Sequence, residues 1–482
     1  MSKFYVTCAI PYVNAPPHVG HALEFVQGDV ITRYHALLGE ETKLLSGGDE
    51  NALKNVQAAD LAGVPVKEFI DTNTQNFFDL TKALNCRFDV WQKGSDKKHH
   101  FVSSQKLWEL CKKDIFKKSY EGLYCTGCEQ FYTKDELDEN GECFEHPGKK
   151  LEMVKEENYF FRLSTYRDQL IKLISDDTIK IIPDFRKNEM LSFLKQPLRD
   201  ISVSRSNERA KNWGVPVPGD DTQRMYVWFD ALNIYQSGIG FGWDEKQYEK
   251  WWPADVHVIG KGITRFHAIY WPAFLLSAGL KLPKSIFVHG YFTVNGQKMS
   301  KSVGNVIDPF ALIEKYGADP LRYYLLREIP SAADGDFSER RFKELYNSDL
   351  ANGLGNLVAR VAKLAEGFNF PPNSSIKFIS EIHTTNGAKS TLYKQAFENY
   401  QFDEVLKLIW SDIKVADQYI NEKQPWKLEG IKREEIIKVG VDAIRYIAIQ
   451  LQPFLPAISQ KIISQFKGPK IKAAAPLFPR IT

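Results

Sequence analysis

Apolar positions along the chain fall into two regimes. Up to about residue 300, short apolar runs alternate with helical stripes, and glycine or proline marks each junction. Phe4 to Ile10 is an apolar strand. It enters a Pro/Asn/Ala-Pro-Pro turn, and a long amphipathic run opens at His18-Val-Gly-His21 and ends near Gly39. Thr42 to Ser46 is a second short strand, running into Gly47-Gly-Asp-Glu50, with a helical stretch from Leu53. Repetition of strand, glycine turn and helix predicts an α/β fold with a doubly wound parallel sheet of the Rossmann type, its ligand site at the carboxyl ends of the strands. The pattern breaks at Tyr120 to Tyr124 and resumes from Tyr226 to Tyr235. Val256 to Ile263 is then a strand meeting a glycine turn, and Val288 to Gly296 another. From about Leu345 the spacing is helical: Leu350, Leu354, Leu357 and Val361, then Leu406, Ile409 and Ile413, then Ile437, Val441 and Ile444. Antiparallel packing of such stripes predicts a C-terminal helical bundle. Pro425 stops the second of these helices and leaves Trp426 at a corner. The expected division is a first catalytic half over 1–115, an insertion over 116–215, a second catalytic half over 216–297, a loop and connecting segment over 298–345, and a helical domain over 346–482.

Composition agrees with a multidomain enzyme. A chain of 482 residues has a soft expectation of about three domains, and 43% hydrophobic residues supply ample core. The net charge of +3 neither demands nor excludes nucleic acid, so any RNA affinity comes from local patches. No basic-then-apolar leader opens the chain, and the longest apolar segment, His267 to Leu280, falls short of the ~20 residues of a spanning helix; no membrane association is expected. Six cysteines, three of them clustered, point to metal rather than disulfides and to a reducing cytoplasm. Cys125-Thr-Gly-Cys128, fourteen intervening residues and Cys143-Phe-Glu-His146 have the spacing of a closed, structural zinc site. Reduced cysteines beside a surface histidine are the bland alternative.

Candidate chemistry gathers at the turns. A helix N-terminus presents unpaired N–H groups and a positive dipole end, and His18 and His21 share a face of the first turn with Gly20 between them. Such a place suits a polyphosphate, although two surface histidines would look the same. Lys298 and Lys301, on a loop with Ser300 between them, suit a mobile clamp on phosphates. Asp49, at a strand end, is placed to hold an ammonium or to cap a helix. Trp228, Tyr235, His267 and Trp271 are core residues or the walls of an apolar pocket, where a thioether would pack well against ring edges.

His18-Val-Gly-His21 and Lys298-Met-Ser-Lys-Ser302, in this order and context, resemble the paired motifs of class I aminoacyl-tRNA synthetases. The resemblance narrows to the methionyl-tRNA synthetases and covers essentially the whole chain. It adds Ala9 to Asn14, the cysteine–histidine hooks, Trp228-Phe-Asp-Ala-Leu232 and Arg265-Phe-His-Ala-Ile-Tyr-Trp271. It also takes in Gly355-Asn-Leu-Val-Ala-Arg360 and Asn421-Glu-Lys-Gln-Pro-Trp426. By that resemblance, the backbone at Ile10 and the Asp49 carboxylate hold the methionine ammonium. Tyr12, Leu232, Tyr235, Ile263, His267 and Trp271 surround the side chain, with Trp228 as a mobile wall. His18, Gly20, His21, Lys298, Ser300 and Lys301 bind ATP, which comes with Mg2+, while Asn356, Arg360 and Trp426 read the anticodon of tRNA(Met). The implied zinc is structural, one per chain at Cys125, Cys128, Cys143 and His146, and the implied state is a cytoplasmic monomer. Three stretches depart from the family pattern. Gly47-Gly-Asp-Glu-Asn-Ala52 stands for Gly-Thr-Asp-Glu-His-Gly, Gly260-Lys-Gly-Ile263 for Gly-Lys-Asp-Ile, and Leu232-Asn-Ile-Tyr235 for Leu-Ile-Asn-Tyr. The rival readings are a class I synthetase for another apolar amino acid and a catalytically weak RNA-binding paralogue.

Overall fold

The structure, a computed structural model, describes residues 2–125, 130–132, 137–143, 148, 150–299, 304–372 and 388–481. Its centre is a six-stranded sheet of β1 (Lys3–Cys8), β2 (Glu41–Gly48), β3 (Val90–Lys93), β4 (Lys180–Ile182), β5 (Val256–Gly260) and β6 (Ser285–His289). The order is β3-β2-β1-β5-β6-β4 and every pair is parallel. Sheets of this kind are covered on both faces, which is why their inner strands read as short apolar runs rather than as alternations. The order reverses between β1 and β5, and the crevice beyond the carboxyl ends of those strands is where a doubly wound sheet offers a binding site. Helix α1 (Val19–Leu37) follows β1 and packs its buried face, Val19, Leu23, Val26 and Val30 among others, beneath the sheet.

Between β3 and β5 the chain builds an antiparallel sheet in which Ile115–Cys125 pairs with Glu152–Phe161, flanked by Gln130–Tyr132 and Ile201–Ser202. The same stretch of sequence also returns β4 to the edge of the central sheet, where Lys180 to Ile182 pair with Ser285 to Phe287. Three residues are too few to carry a period, so this strand has no signature of its own. The segment from Tyr226 is helical: α2 (Val227–Leu232) and a short turn of helix, Ile234–Ser237. Beyond β6, Phe292–Val294 and Gln297–Lys298 form a hairpin through Asn295 and Gly296, both at positive φ (50° and 76°), the geometry of a tight two-residue turn.

Helix α3 (Ala318–Arg327) leads into the C-terminal helices α4 (Asn356–Ala365), α5 (Phe402–Lys423), α6 (Gly430–Leu451) and α7 (Pro456–Gln465). One apolar core runs without a break from beneath α1 through Leu321 and Leu325 to Leu406, Val441 and Ile462. A second core lies on the other side of the sheet and contains Trp228, Tyr235 and Trp271. No helix among the described residues is long and apolar enough to cross a membrane.

Candidate active site

The turn after β1 ends on His18, the N-cap of α1, in extended backbone (φ −131°, ψ 174°). Its Nδ1 accepts the backbone N–H of Gly20 at 3.1 Å, and Nδ1 of His21 accepts the backbone N–H of His18 at 3.1 Å. Two of the helix's orphan donors are satisfied by two imidazoles in this reciprocal cap. An acceptor nitrogen carries no proton, so each neutral ring keeps its hydrogen on Nε2. Burial, followed by the neighbouring His18 and His289, holds the pKa of His21 well below the usual histidine value. Glycine is needed at position 20, because a Cβ there would meet the His18 ring at 2.9 Å.

Both rings line a cavity of about 570 Å3 at the switch point, together with Ile10, Tyr12, Trp228 and Ile263. Trp228 lies flat on Phe266, with centroids 3.7 Å apart and planes 4° from parallel, and meets Tyr12 edge-on at 6.3 Å. A π-helical turn over Phe266–Tyr270 carries Phe266 and His267. His267 Nδ1–H donates to the Ile263 carbonyl at 2.9 Å, and the Tyr235 hydroxyl donates to His267 Nε2 at 2.7 Å. This network assigns a neutral ring, and burial lowers the His267 pKa to about 4.

Asp49 is buried beside Tyr12, through a bridge between the two loops and an N–H donated to the Pro11 carbonyl at 2.9 Å. Asp49, Leu232, Tyr235, His267 and Trp271 stand behind the residues that line the cavity, and Trp271 is packed edge-on to Trp252 in the core. Lys298 closes the hairpin after β6, while Ser300 and Lys301 lie outside the described residues. Gly262, where the family pattern has an acid, lines the cavity. Glu24 is the one acidic residue on the cavity wall among the described residues, 3.0 Å from Nε2 of His289. Sequence reasoning did not single out Glu24 or His289. Their separation of 265 residues gave no local signal.

At the predicted metal site Cys125 and Cys143 are buried with their Sγ atoms 3.3 Å apart, and Cys128 and His146 lie outside the described residues. Among the described residues no three ligand-type side chains come together, so the zinc-knuckle insertion is not established at that level. In the helical domain Asn356 and Arg360 are one turn apart on α4. Arg360 donates to Asp417 Oδ1 at 2.6 Å and to Asn421 Oδ1 at 2.8 Å, near the end of α5. Trp426 follows that helix end and is 48% exposed, at the corner where the sequence places it.

Residues 4–362 match the family described as tRNA synthetases class I (M), and residues 382–481 match the anticodon-binding domain of tRNA ligases. Fold, switch-point cavity and match together place the chain among the class I tRNA synthetases. The methionine–tRNA ligase of Thermotoga maritima is 41% identical over 471 residues, 95% of this chain and 74% of that protein. That of Brucella melitensis is 38% identical over 483 residues, 98% of this chain and 93% of that protein. Mycobacterium tuberculosis methionyl-tRNA synthetase in complex with methionyl-adenylate superposes with a TM-score of 0.91 at 36% identity, covering 100% of both chains. The free-state structure of that synthetase gives 0.83 at 32% identity, covering 100% of this chain and 99% of that one. The chain belongs to the methionyl-tRNA synthetase family.

Proposed function

We propose that this chain joins L-methionine to ATP and then to tRNA(Met). The methionine carboxylate attacks the α-phosphate in line, the α–β phosphoanhydride breaks, and pyrophosphate leaves; Mg2+ arriving with ATP would offset phosphate charge. The adenylate then esterifies the 3′-terminal ribose of the tRNA and releases AMP. Such a reaction asks little covalent chemistry of the protein; positioning and charge stabilisation carry it. The observation that supports the reading best is the pair of imidazoles at the α1 N-terminus, each accepting through Nδ1 and so carrying its N–H on Nε2, on the wall of a cavity that Tyr12 and Trp228 also line. In this reading His18 and His21 meet the phosphates through those donors, and Lys298 and Lys301 close over the pyrophosphate. Asp49 and the backbone at Ile10 hold the ammonium, and Tyr12, Trp228 and Ile263 enclose the thioether, with Leu232, Tyr235, His267 and Trp271 shaping that wall from behind. Asn356, Arg360 and Trp426 read the anticodon.

A structural zinc belongs to the same reading. The spacing of Cys125 and Cys143 is close to the ~3.8 Å edge of a tetrahedron with Zn–S bonds of about 2.3 Å. With Cys128 and His146 as the other ligands, the ion would fasten the insertion, and native mass spectrometry should find one zinc per chain. A cytoplasmic, monomeric enzyme completes the proposal, in keeping with the free thiols of Cys8, Cys86 and Cys111. ATP–pyrophosphate exchange over a panel of amino acids tests the function. Methionine should be preferred by at least about a hundredfold, of the order a single apolar pocket achieves; preference for another amino acid, or no exchange, would overturn it.

A further inference from the structure

Behind the cavity, the loop that carries Asp49 is tied to the helix that carries Trp228. Asn51 lies two residues beyond Asp49, and Asp230 two residues beyond Trp228 on α2. Nδ2 of Asn51 donates to Asp230 Oδ2 at 2.6 Å and to the Gly94 carbonyl at 2.8 Å. Both amide hydrogens are therefore used, and two acceptors fix which way the amide faces. Asp230 is 1% exposed and His100 0%, and His100 Nε2 lies 3.4 Å from the same Asp230 oxygen. The backbone at Gly94 presses on the Asp49 loop, since a Cβ there would meet Gly48 O at 3.0 Å and Glu50 N at 3.1 Å. The rest of the loop is pinned as well. Glu50 accepts from Thr74 Oγ1 at 2.6 Å and from the N–H of Ser95 at 3.0 Å, and Asn55 Nδ2 donates to the Asp49 carbonyl at 2.7 Å. A loop held this firmly transmits a shift of α2 relative to it directly into the distance from Asp49 to the Trp228 wall.

We propose that Asn51 and Asp230 form a spacer: they set the separation between the carboxylate that takes the methionine ammonium and the aromatic wall that takes its side chain. They are positioning residues for the amino acid and touch neither ATP nor the reacting atoms. The inference rests on the reading of the cavity as a methionine site. Asparagine at 51 is one of this chain's departures from the family pattern, which has histidine there. A neutral imidazole offers one N–H, whereas the Asn51 amide offers two and holds Gly94 and Asp230 together.

The test is exchange kinetics on the full chain. N51D keeps the side chain's shape but turns an acceptor toward Asp230, and should raise the methionine KM about tenfold to a hundredfold. Its kcat and ATP KM should stay within about twofold, because nothing lost is gained only in the transition state. Asn51→His, with one donor, should fall between N51D and the parent chain. The exchange variant N51D/D230N restores a donor–acceptor pair between the two side chains but not the bond to the Gly94 carbonyl, so its methionine KM should recover at least about threefold from that of N51D without reaching the parent value. Melting temperatures recorded alongside separate misfolding from mispositioning; should N51D not fold, the graded His variant and the swapped pair carry the test. An unchanged methionine KM, equal losses in kcat and ATP KM, or a folded swap without recovery would overturn the spacer. A parent chain without methionine-dependent exchange would instead overturn the site reading, and the spacer with it.

Discussion

In the proposed reaction the two cap histidines each do two jobs with two nitrogens, and the jobs can be separated. Nδ1 of His21 closes the helix cap, and Nε2–H is left for a ligand. Asparagine places its amide near the position of Nδ1, and glutamine reaches about as far as Nε2. In His21→Asn the carbonyl oxygen can still accept the His18 N–H, so stability should hold while adenylate formation falls by about 10²–10³, the usual loss for one transition-state donor. In His21→Gln the cap is lost, at about 1 kcal/mol, and more of the rate survives. Single-turnover adenylate formation and melting temperature on both variants check this; an equal rate loss in the two would show that the outward donor is not the active nitrogen. A neutral His21 also sets a pH window. Its folded pKa is depressed, so the stability it contributes is whole above the unfolded value of ~6.5 and is lost as pH falls below it.

At the scale of elements, the turn at Pro425 is the clearest case. The residue after α5, Gln424, is in a left-handed conformation (φ 45°), and Pro425 opens a single 3₁₀ turn that leaves Trp426 half exposed, a few residues past the Asn421 that bonds Arg360 and Asp417. Stacking of a base on such a ring is worth ~1–3 kcal/mol. Trp426→Ala should therefore lower tRNA charging about 10- to 100-fold and leave methionine-dependent exchange and the melting temperature nearly unchanged. Normal charging by the mutant would defeat the assignment. That corner was legible in the sequence because a proline after a helical stripe is a local signal. The β1–turn–α1 unit was legible for the same reason, and the strand expected over Thr42 to Ser46 is Glu41–Gly48. What could not be read joins residues far apart. Asn51 meets Asp230 across 179 positions, Glu24 meets His289 across 265, and no period or spacing encodes either. β4 failed to show for the opposite reason: it is too short to have a pattern.

Across the whole molecule, a buried cation ties the sheet to the C-terminal helices within the apolar core they share. Arg322 on α3 is fully buried and lies 2.7 Å from Asp29 on α1, itself fully buried. It also donates to the carbonyls of Pro453 at 2.7 Å and Phe454 at 2.8 Å, beyond α6, and to that of Leu84 at 3.2 Å. Asp29 takes further bonds from Arg33 Nε at 2.7 Å and the N–H of Arg87 at 2.8 Å. Removing one member of such a pair leaves the other charge buried. Arg322→Met should cost about 3–5 kcal/mol, and adding Asp29→Asn should return part of it. Denaturant unfolding of both variants measures this, and a loss of under about 1 kcal/mol in the single variant would show the junction to be held by its apolar contacts alone.

The strand order also has a meaning in time. β1 and its neighbour β2 are complete once Gly48 is made, but β5, which covers the other edge of β1, begins only at Val256. At about 5–20 residues per second, the roughly 210 residues between them take on the order of 10–40 s to synthesise. Through that interval β1 keeps a row of open N–H and C=O groups toward any extended chain nearby. The two banks of the crevice are thus made separately. Whatever shields the nascent chain during the wait guards the edge on which the active site will close.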